Sequence, residues 1–356
     1  MNDRFIRQTV LKEFGIKSQE ILSNSRVLVV GCGGLGIPVI QYLNAMGVGT
    51  LGVIDGDTVD LTNLHRQVIF DENDIGKSKV NSAIAKLKIQ NSRTKLKGYN
   101  FFINNKNALE IISNYDYIVD ASDNFSTRYL INDSCIILDK PFVYGALHGF
   151  EGHISVFNYN SGPSYRCLYP NMPSALEIPN CNDHGVLGVL PGIIGAFQAL
   201  ETVKVITGVG IVLSGKIQIF NGLNNTFYNL KIKKNKLNFS IKALDGDYDL
   251  KCDIHTDSIS NIKIDELIKN EKIQIIDVRS INEYKSFYLK NSINIPLQKI
   301  EIEFSKINFK RKVYFVCQSG VRSLKAIQVL KPKYPKADLI NIIGGINKLS
   351  KYAVTC

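Results

Sequence analysis

The chain has 356 residues, 45% of them hydrophobic and 21% charged, and a formal net charge of +11. That length accommodates two domains with a core in each, and that composition excludes disordered and fibrous classes. The positive balance comes from lysines scattered among many Asn and Ile, a pattern of AT-rich coding, and no aromatic-plus-basic motif accompanies it, so nucleic acid is not an expected partner.

The N-terminal "MNDRFIRQ" has neither the apolar core of a secretory signal nor Ser/Arg-rich transit character. The longest apolar run, 185–200, is interrupted by Pro191 and Gln198 and followed by Glu201 and Lys204, so no membrane span is expected. Seven cysteines (32, 135, 167, 181, 252, 317, 356) are an odd number without small-scaffold spacing, which suits a reducing compartment. The expected location is the cytoplasm, or the plastid stroma for a plastid-encoded chain.

In chain order the first elements are a strand "RVLVV", a Gly-rich turn, a helix over 34–46 and a strand "TLGVID". A strand "YDYIVDASD", a helix "STRYLINDSCIIL" and a strand "PFVYGAL" follow. Alternation of this kind predicts a doubly wound parallel sheet. After Gly152 longer strands, "HISVFNYN", "GKIQIFNG" and "TFYNLKIKK", surround one helix over 191–207 and extend the sheet in mixed orientation.

The turn "GCGGLG" places Gly31, Gly33, Gly34 and Gly36 where backbone N–H groups meet phosphate oxygens at a helix N-terminus. Asp55, nineteen positions after Gly36, ends the next strand, where its carboxylate can take the ribose hydroxyls of NAD or of ATP. Asn63, Arg66, Gln67 and Lys79 favour ATP, because fixed polar and cationic groups stabilise a departing pyrophosphate and a dehydrogenase has no use for them. Asp123, in "DASDN", stands at a strand end suited to holding Mg²⁺.

The motifs "RFIRQ", "VVGCGGLG", "DGDTVDLTNLHRQ", "IGKSK", "VDASDN" and "GVLGVLPGIIG" resemble the ThiF/MoeB group of ubiquitin-activating-type adenylyltransferases over about residues 1–235. The resemblance implies MgATP-dependent adenylation of the C-terminal Gly-Gly carboxylate of a small ubiquitin-like sulfur carrier of the MoaD or ThiS type. It implies that Asp55 binds ribose, that Asn63, Arg66 and Lys79 bind the phosphates, and that Asp123 holds Mg²⁺. It also implies that Arg7 reaches the ATP of a second subunit, hence a homodimer.

Two features depart from or qualify that pattern. The group often carries two Cys-x-x-Cys pairs around a structural zinc ion; here the first reads "SYRC", with Ser164 and Cys167, and "KKNKLNFSIKAL" at the second has no Cys or His. Tetrahedral zinc needs four N or S ligands, so no structural zinc is expected, and Cys252 and His255 in "CDIH" do not by themselves make a site. Cys181 falls where relatives carry a cysteine on a loop over the active site, and two readings stand: a nucleophile toward the acyl-adenylate, or a spare thiol.

The polar, aperiodic stretch 233–258 reads as a linker, which gives domains over 1–235 and 259–356 joined by 236–258. The second domain shows a strand "IQIIDV", a helix near 282–287, a strand "KVYFV", a helix "SLKAIQVLK", a strand "DLINI" and a Gly-Gly pair. Between its middle strand and helix lies "VCQSGVRS", which sets Cys317 among converging N–H groups with Arg322 closing the loop, an arrangement that favours thiolate and can hold a persulfide. Four residues separate Cys317 from Arg322, one fewer than a tyrosine-phosphatase ring requires.

This segment resembles single-domain rhodaneses over about 259–350, through "IIDVRSINEYKSFYLKNSINIP" and "IIGGI". The resemblance implies that Cys317 carries sulfur, that Arg279 and Glu283 form an ion pair and that Asp277 supports the loop. The expected fold is therefore α/β, a Rossmann-like mixed-sheet activating domain plus a smaller α/β rhodanese domain. The expected function is adenylation of a MoaD-like carrier followed by sulfur transfer, with a cysteine desulfurase or thiosulfate as donor, in molybdenum-cofactor synthesis. Three other readings stand beside it: the same chemistry for thiamine synthesis or tRNA thiolation, an NAD-dependent oxidoreductase, and a non-catalytic carrier-binding scaffold.

Overall fold

In the computed structural model, residues 3–173, 185–246, 248, 257–259, 273–318, 320–342, 344–346 and 353–354 are described. They divide into two compact units, one up to Tyr248 and one from Asp257 onward. In the first, α1 (Ile6–Thr9) and α2 (Gly15–Asn24) precede β1 (Arg26–Val30), α3 (Gly36–Met46), β2 (Thr50–Ile54), α4 (Lys79–Gln90), β3 (Lys95–Tyr99) and α5 (Ala108–Ser113). Then come β4 (Tyr117–Asp120), α6 (Phe125–Ile137), β5 (Phe142–His148), β6 (Glu151–Phe157), α7 (Tyr165–Leu168), α8 (Val189–Thr207), β7 (Lys216–Asn221) and β8 (Thr226–Lys231).

The period-2 alternation of a strand explains the two cores. In β1, Val27 and Val29 join one apolar cluster with Leu22, Ile37, Ile40, Leu43, Leu87 and Ile194, while Leu28 and Val30 join the opposite one with Ile111, Ile112, Tyr129 and Tyr165. A strand buried on both faces is the mark of a parallel sheet covered by helices. Its order is β3-β2-β1-β4-β5-β6-β7-β8. Pairing is parallel through β5 and antiparallel from β5 to β8, the mixed orientation expected above.

The strand order reverses between β1 and β4, and ligand crevices in open α/β sheets form at the carboxyl ends of strands flanking such a point. The sequence reading left out α1, α2, α4, β3, α5 and α7. β3 escapes it because "KLKGY" alternates lysines on an exposed strand and carries no apolar run.

The apolar helix α8 is longer than the run read from sequence, 19 residues, and by length and composition matches a membrane span. In this fold it is a core helix. Leu190, Ile194, Gln198, Glu201 and Thr202 are buried, Gln198 Nε2 donates to Asp120 O at 2.7 Å and Leu213 N donates to Glu201 Oε2 at 2.8 Å.

The stretch read as a linker is packed where it begins. Leu244 and Tyr248 join the second cluster of the first unit, and Tyr248 Oη donates to Asp133 Oδ2 at 2.8 Å. Arg166 holds both oxygens of the same carboxylate at 2.7 Å, with its guanidinium 4.7 Å from the Tyr129 ring centre. Sequence periodicity cannot show such docking, because two isolated docking residues in a polar run carry no period.

The second unit comprises β9 (Asp257–Ile259), β10 (Gln274–Asp277), α9 (Ile281–Ser286), β11 (Tyr288–Leu289), β12 (Ser292–Asn294), β13 (Val313–Val316), α10 (Val321–Leu330), β14 (Leu339–Ile342) and β15 (Ala353–Val354). Five strands pair in parallel in the order β12-β10-β13-β14-β9, and β11 pairs antiparallel with β15. Ile276, Val313, Phe315, Ala326, Ile327, Leu330 and Leu339 form its main core, so the four apolar residues of "VYFV" are the buried central strand that their sequence predicts.

Candidate functional site

The Gly-rich turn lies at the carboxyl end of β1, pressed between the turn after β4 and the start of α8. Gly31 has φ 104°, and a Cβ there would meet Ala121 O at 2.6 Å. A Cβ on Gly36 would collide with the carbonyl oxygen of Gly31, so both positions require glycine. Gly34 packs against Pro191 and faces Arg66, whereas Gly33 faces the Gln67 amide with ordinary clearance. The helix that follows, α3, starts without a side-chain cap, which leaves its N-terminal amides for a ligand.

Asp55 closes the turn from the side. Its Oδ2 accepts from Cys32 N at 2.7 Å and its Oδ1 from Asp57 N at 2.8 Å. Burial pushes its carboxyl above the ordinary value, although those two hydrogen bonds and the nearby Lys79 ammonium oppose the shift. Lys79, the first residue of α4, has its side chain 8% exposed and its Nζ 2.9 Å from Asp57 Oδ2. The Cys32 thiol donates to Lys79 O at 3.8 Å, so Gly-rich turn, Asp55 and Lys79 are one assembly.

The loop between β2 and α4 is held by its own polar side chains. Asp60 N donates to Asn63 Oδ1 at 3.3 Å, Thr62 N donates to Asp60 Oδ1 at 2.8 Å, and Arg66 Nη1 donates to Thr62 O at 2.9 Å. Gln67 is buried beside Gly33 with its Oε1 unpartnered. Across the turn, Asp123 is exposed and its Oδ1 accepts from Asn124 Nδ2 at 3.4 Å. The structure thus brings Gly31, Gly33, Gly34, Gly36, Asp55, Arg66, Gln67 and Lys79 into one neighbourhood, with Asn63 and Asp123 on the loops that border it.

Arg7 stands apart. It lies on α1, whose Gln8 donates to Met46 O at 3.1 Å, and Met46 ends α3 at the terminus opposite the Gly-rich turn, about 15 Å away along the helix. Within one chain Arg7 is not part of this site. Cys181, Cys252 and His255 lie outside the described residues. A recess of about 520 Å³ lined by Lys17, Glu20, Asn24 and Asp116 sits at the amino ends of the central strands β1 and β4, the opposite end of the strands from this chemistry.

Sequence reasoning missed two groups here. Asp57 pairs with Lys79, and its signal was the second acidic residue of "DGD". Arg128 is buried in α6, donates from Nη2 to Ser122 O at 3.2 Å and lies over the Phe125 and Tyr144 rings at 5.3 and 5.6 Å. An arginine within the apolar run "RYLI" was its signal. Beside it Asp120 is fully buried, with Oδ1 taken by Ser122 and Oδ2 unpartnered, and burial raises its carboxyl above the ordinary value.

In the second unit Cys317 directly follows β13. Its Sγ accepts from Gly320 N at 3.1 Å and from Ser323 Oγ at 3.5 Å, and the residue is fully buried. Ile346 N donates to Cys317 O at 2.8 Å, and Gly345 lies so close to that carbonyl that a Cβ would collide with it. The Gly-Gly turn is thus what seats the cysteine loop.

The ion pairs differ from the expected arrangement. Arg279 binds Asp277, with Nη2 to Oδ2 at 2.7 Å and both side chains fully buried. Glu283 binds Arg322, at 2.8 Å from Nη1 and 2.6 Å from Nη2. The expected Arg279–Glu283 pair is therefore incorrect. Glu283 is the third residue of α9 and accepts from Ser280 N at 2.9 Å in a capping box, which aims it toward the cysteine loop. Arg279 turns inward to Asp277 and to Phe287 O at 2.8 Å. The Arg322 hydrogen bonds push the Glu283 carboxyl down to about 2.

Comparison with known proteins settles the family. The ThiF family model matches residues 5–240, and the model of the rhodanese-like domain matches residues 260–352. The chain belongs to the ThiF family. It is 38% identical over 370 residues to "Adenylyltransferase and sulfurtransferase MOCS3" of Drosophila persimilis, covering 97% of this chain and 82% of that one. It is also 38% identical over 382 residues to the protein of the same name from Xenopus laevis, covering 96% and 85%.

Among solved structures, E. coli MccB with ATP superposes with a TM-score of 0.59 at 22% identity, covering 66% of this chain and 73% of that one, a likeness of fold. The ThiF assignment, joined to a rhodanese-like domain, sets aside the dehydrogenase reading of the Gly-rich turn. This ThiF chain is an adenylyltransferase and sulfurtransferase.

Proposed function

We propose that this chain adenylates the C-terminal glycine carboxylate of a small ubiquitin-like sulfur carrier of the MoaD type, using MgATP, and then converts it to a thiocarboxylate with sulfur carried on Cys317. What carries the reading is the joining, in one chain, of an uncapped Gly-rich helix start flanked by Asp55 and Lys79 to a cysteine loop whose sulfur accepts from Gly320 N and Ser323 Oγ.

In the first step a carboxylate oxygen of the carrier attacks the α-phosphorus, the bond to the β-phosphate oxygen breaks, and pyrophosphate leaves. The nucleophile is already an anion, so no base is required; the protein orients the reactants and neutralises charge. Asp55 takes the ribose hydroxyls, the amides that start α3 meet the phosphates, and Asn63, Arg66, Gln67 and Lys79 face the departing pyrophosphate. The exposed Asp123 carboxylate is a hard oxygen donor and fits Mg²⁺, which supplies charge neutralisation on the phosphates when bound. Arg7 serves the site of a second copy, which accords with its place at the far end of α3.

In the second step the Cys317 thiolate takes a sulfur atom from a cysteine desulfurase persulfide or from thiosulfate, releasing the donor thiol or sulfite. The terminal sulfur attacks the acyl carbon and AMP leaves with the bonding electrons, forming an acyl disulfide. A thiol then attacks the Cys317 sulfur, breaking the S–S bond and releasing the thiocarboxylate, and a second thiol resolves the mixed disulfide left on Cys317, two electrons in all. Cys181 keeps its two readings, a second nucleophile toward the acyl-adenylate or a spare thiol.

Carriers of thiamine synthesis and of tRNA thiolation share the same terminal carboxylate. Incubation with MgATP and each carrier, read as ATP–pyrophosphate exchange and carrier mass, ranks them; a MoaD-like carrier is expected to give the fastest exchange. Absence of carrier-dependent exchange with every Gly-Gly carrier would overturn the proposal.

A further inference from the structure

Of the two cysteine pairs that would enclose a zinc ion, this chain keeps one thiol, yet the fold gathers all four positions. Ser164 and Cys167 flank the first turn of α7, and Asn235 and Asn238 belong to the turn that follows β8. All meet at the Cys167 sulfur. It accepts from Asn235 N at 3.3 Å, from Ser164 N at 3.4 Å and from Asn238 Nδ2 at 3.5 Å, and Ser164 Oγ lies at 3.4 Å.

This set does not fit zinc. Tetrahedral zinc needs four inward-pointing lone pairs, from thiolate or imidazole above all. Here three N–H groups aim their positive ends at the centre, which favours an anion-like acceptor and opposes a cation. The Asn235 side-chain oxygen accepts from Leu237 N at 3.1 Å, away from the centre, and the Asn235 backbone carbonyl lies 3.8 Å from the sulfur as acceptor of the Cys167 thiol proton. Among the described residues no group of three or more His, Cys, Asp and Glu side chains converges on a metal position.

We propose that Ser164, Cys167, Asn235 and Asn238 form a metal-free clamp, in which the Cys167 sulfur replaces the ion as the common partner that fastens the segment after β8 to α7. The geometry shows how that segment is fastened to α7 around a single thiol. Asn235 uses its backbone amide on the sulfur and its side chain to cap the 3-10 turn Lys236–Phe239, so one residue does both jobs. From there the chain runs on to Leu244 and to the Tyr248–Asp133 contact. Burial alone would raise the Cys167 thiol above its ordinary range, but the Asn235, Ser164 and Asn238 hydrogen bonds outweigh it and lower it.

Full-length protein, purified from zinc-supplemented cells, provides the test by metal analysis and thermal unfolding. Wild type is expected to hold well under stoichiometric zinc and to keep its Tm in chelator. The variant S164C/N235C/N238C completes four thiols around the same centre; it is expected to take up one zinc per chain, to show tetrahedral thiolate absorption with Co²⁺ and to lose Tm on chelation.

Cys167→Ala is expected to speed amide exchange at Asn235, whose N–H loses its acceptor, and through the turn up to Ser240 by about tenfold. Three results overturn the clamp: stoichiometric zinc in wild type, a folded triple variant that binds no Co²⁺, or unchanged exchange at Asn235 in Cys167→Ala. None bears on ATP–pyrophosphate exchange, so failure here is distinct from failure of the proposed function.

Discussion

The Lys79 ammonium lies 2.9 Å from the Asp57 carboxylate, with the lysine side chain 8% and the aspartate side chain 55% exposed. A well-packed stem therefore carries a charged head whose present partner faces water, and a triphosphate can take that partner's place without exposing the lysine. Such a half-exposed pair stabilises the fold by only about 0–1 kcal/mol. Lys79→Ala is accordingly expected to slow ATP–pyrophosphate exchange by ~10²-fold, equivalent to ~3 kcal/mol, and to lower Tm only through the lost packing of its stem. Normal exchange in a folded Lys79→Ala would remove this lysine from the phosphate site.

The Asp277–Arg279 pair behaves oppositely, because neither side chain reaches water. Removing one partner of a buried pair strands the other charge and costs about 3–5 kcal/mol. Asp277→Ala should lower the stability of the second unit by that order, read as faster amide exchange in β10 and β13, while ATP–pyrophosphate exchange in the first unit persists. Equal protection in wild type and variant would show that the pair is dispensable.

Glu283 supplies a pH signature. Its carboxyl is lowered from 4.5 to about 2, first by the Arg322 hydrogen bonds. A depressed carboxyl contributes stability that is fully present above the unfolded value and is lost as pH falls through the folded one. The Tm difference between wild type and Glu283→Gln should therefore be constant above about pH 5 and narrow between about pH 4.5 and 2. A difference independent of pH over that window would mean that the carboxylate charge does not hold Arg322.

Much of this was legible in the sequence because it rests on local pattern. "RVLVV" alternates sides of the sheet as any strand must, and the four glycines of "GCGGLG" include two, Gly31 and Gly36, that admit no side chain. The Cys317 loop could be placed by its position between an apolar strand and a helix. What sequence could not show were pairings set by three-dimensional aim. Glu283 is three residues from Ser280 in a capping box and so points to Arg322, while Arg279 folds onto Asp277 two residues away. The docking of Tyr248 on Asp133, 115 positions apart, and the convergence of Asn235 and Asn238 on Cys167 likewise join segments with no shared period.

That activation and sulfur delivery reside in one chain is tested most directly by the mass of a MoaD-like carrier incubated with MgATP, a sulfur donor and either wild type or Cys317→Ala. Wild type should yield carrier with one sulfur in place of one oxygen, and Cys317→Ala should give undiminished adenylation with no sulfur gained. Thiocarboxylate formed at the wild-type rate by Cys317→Ala would contradict the assignment of Cys317 as the sulfur carrier.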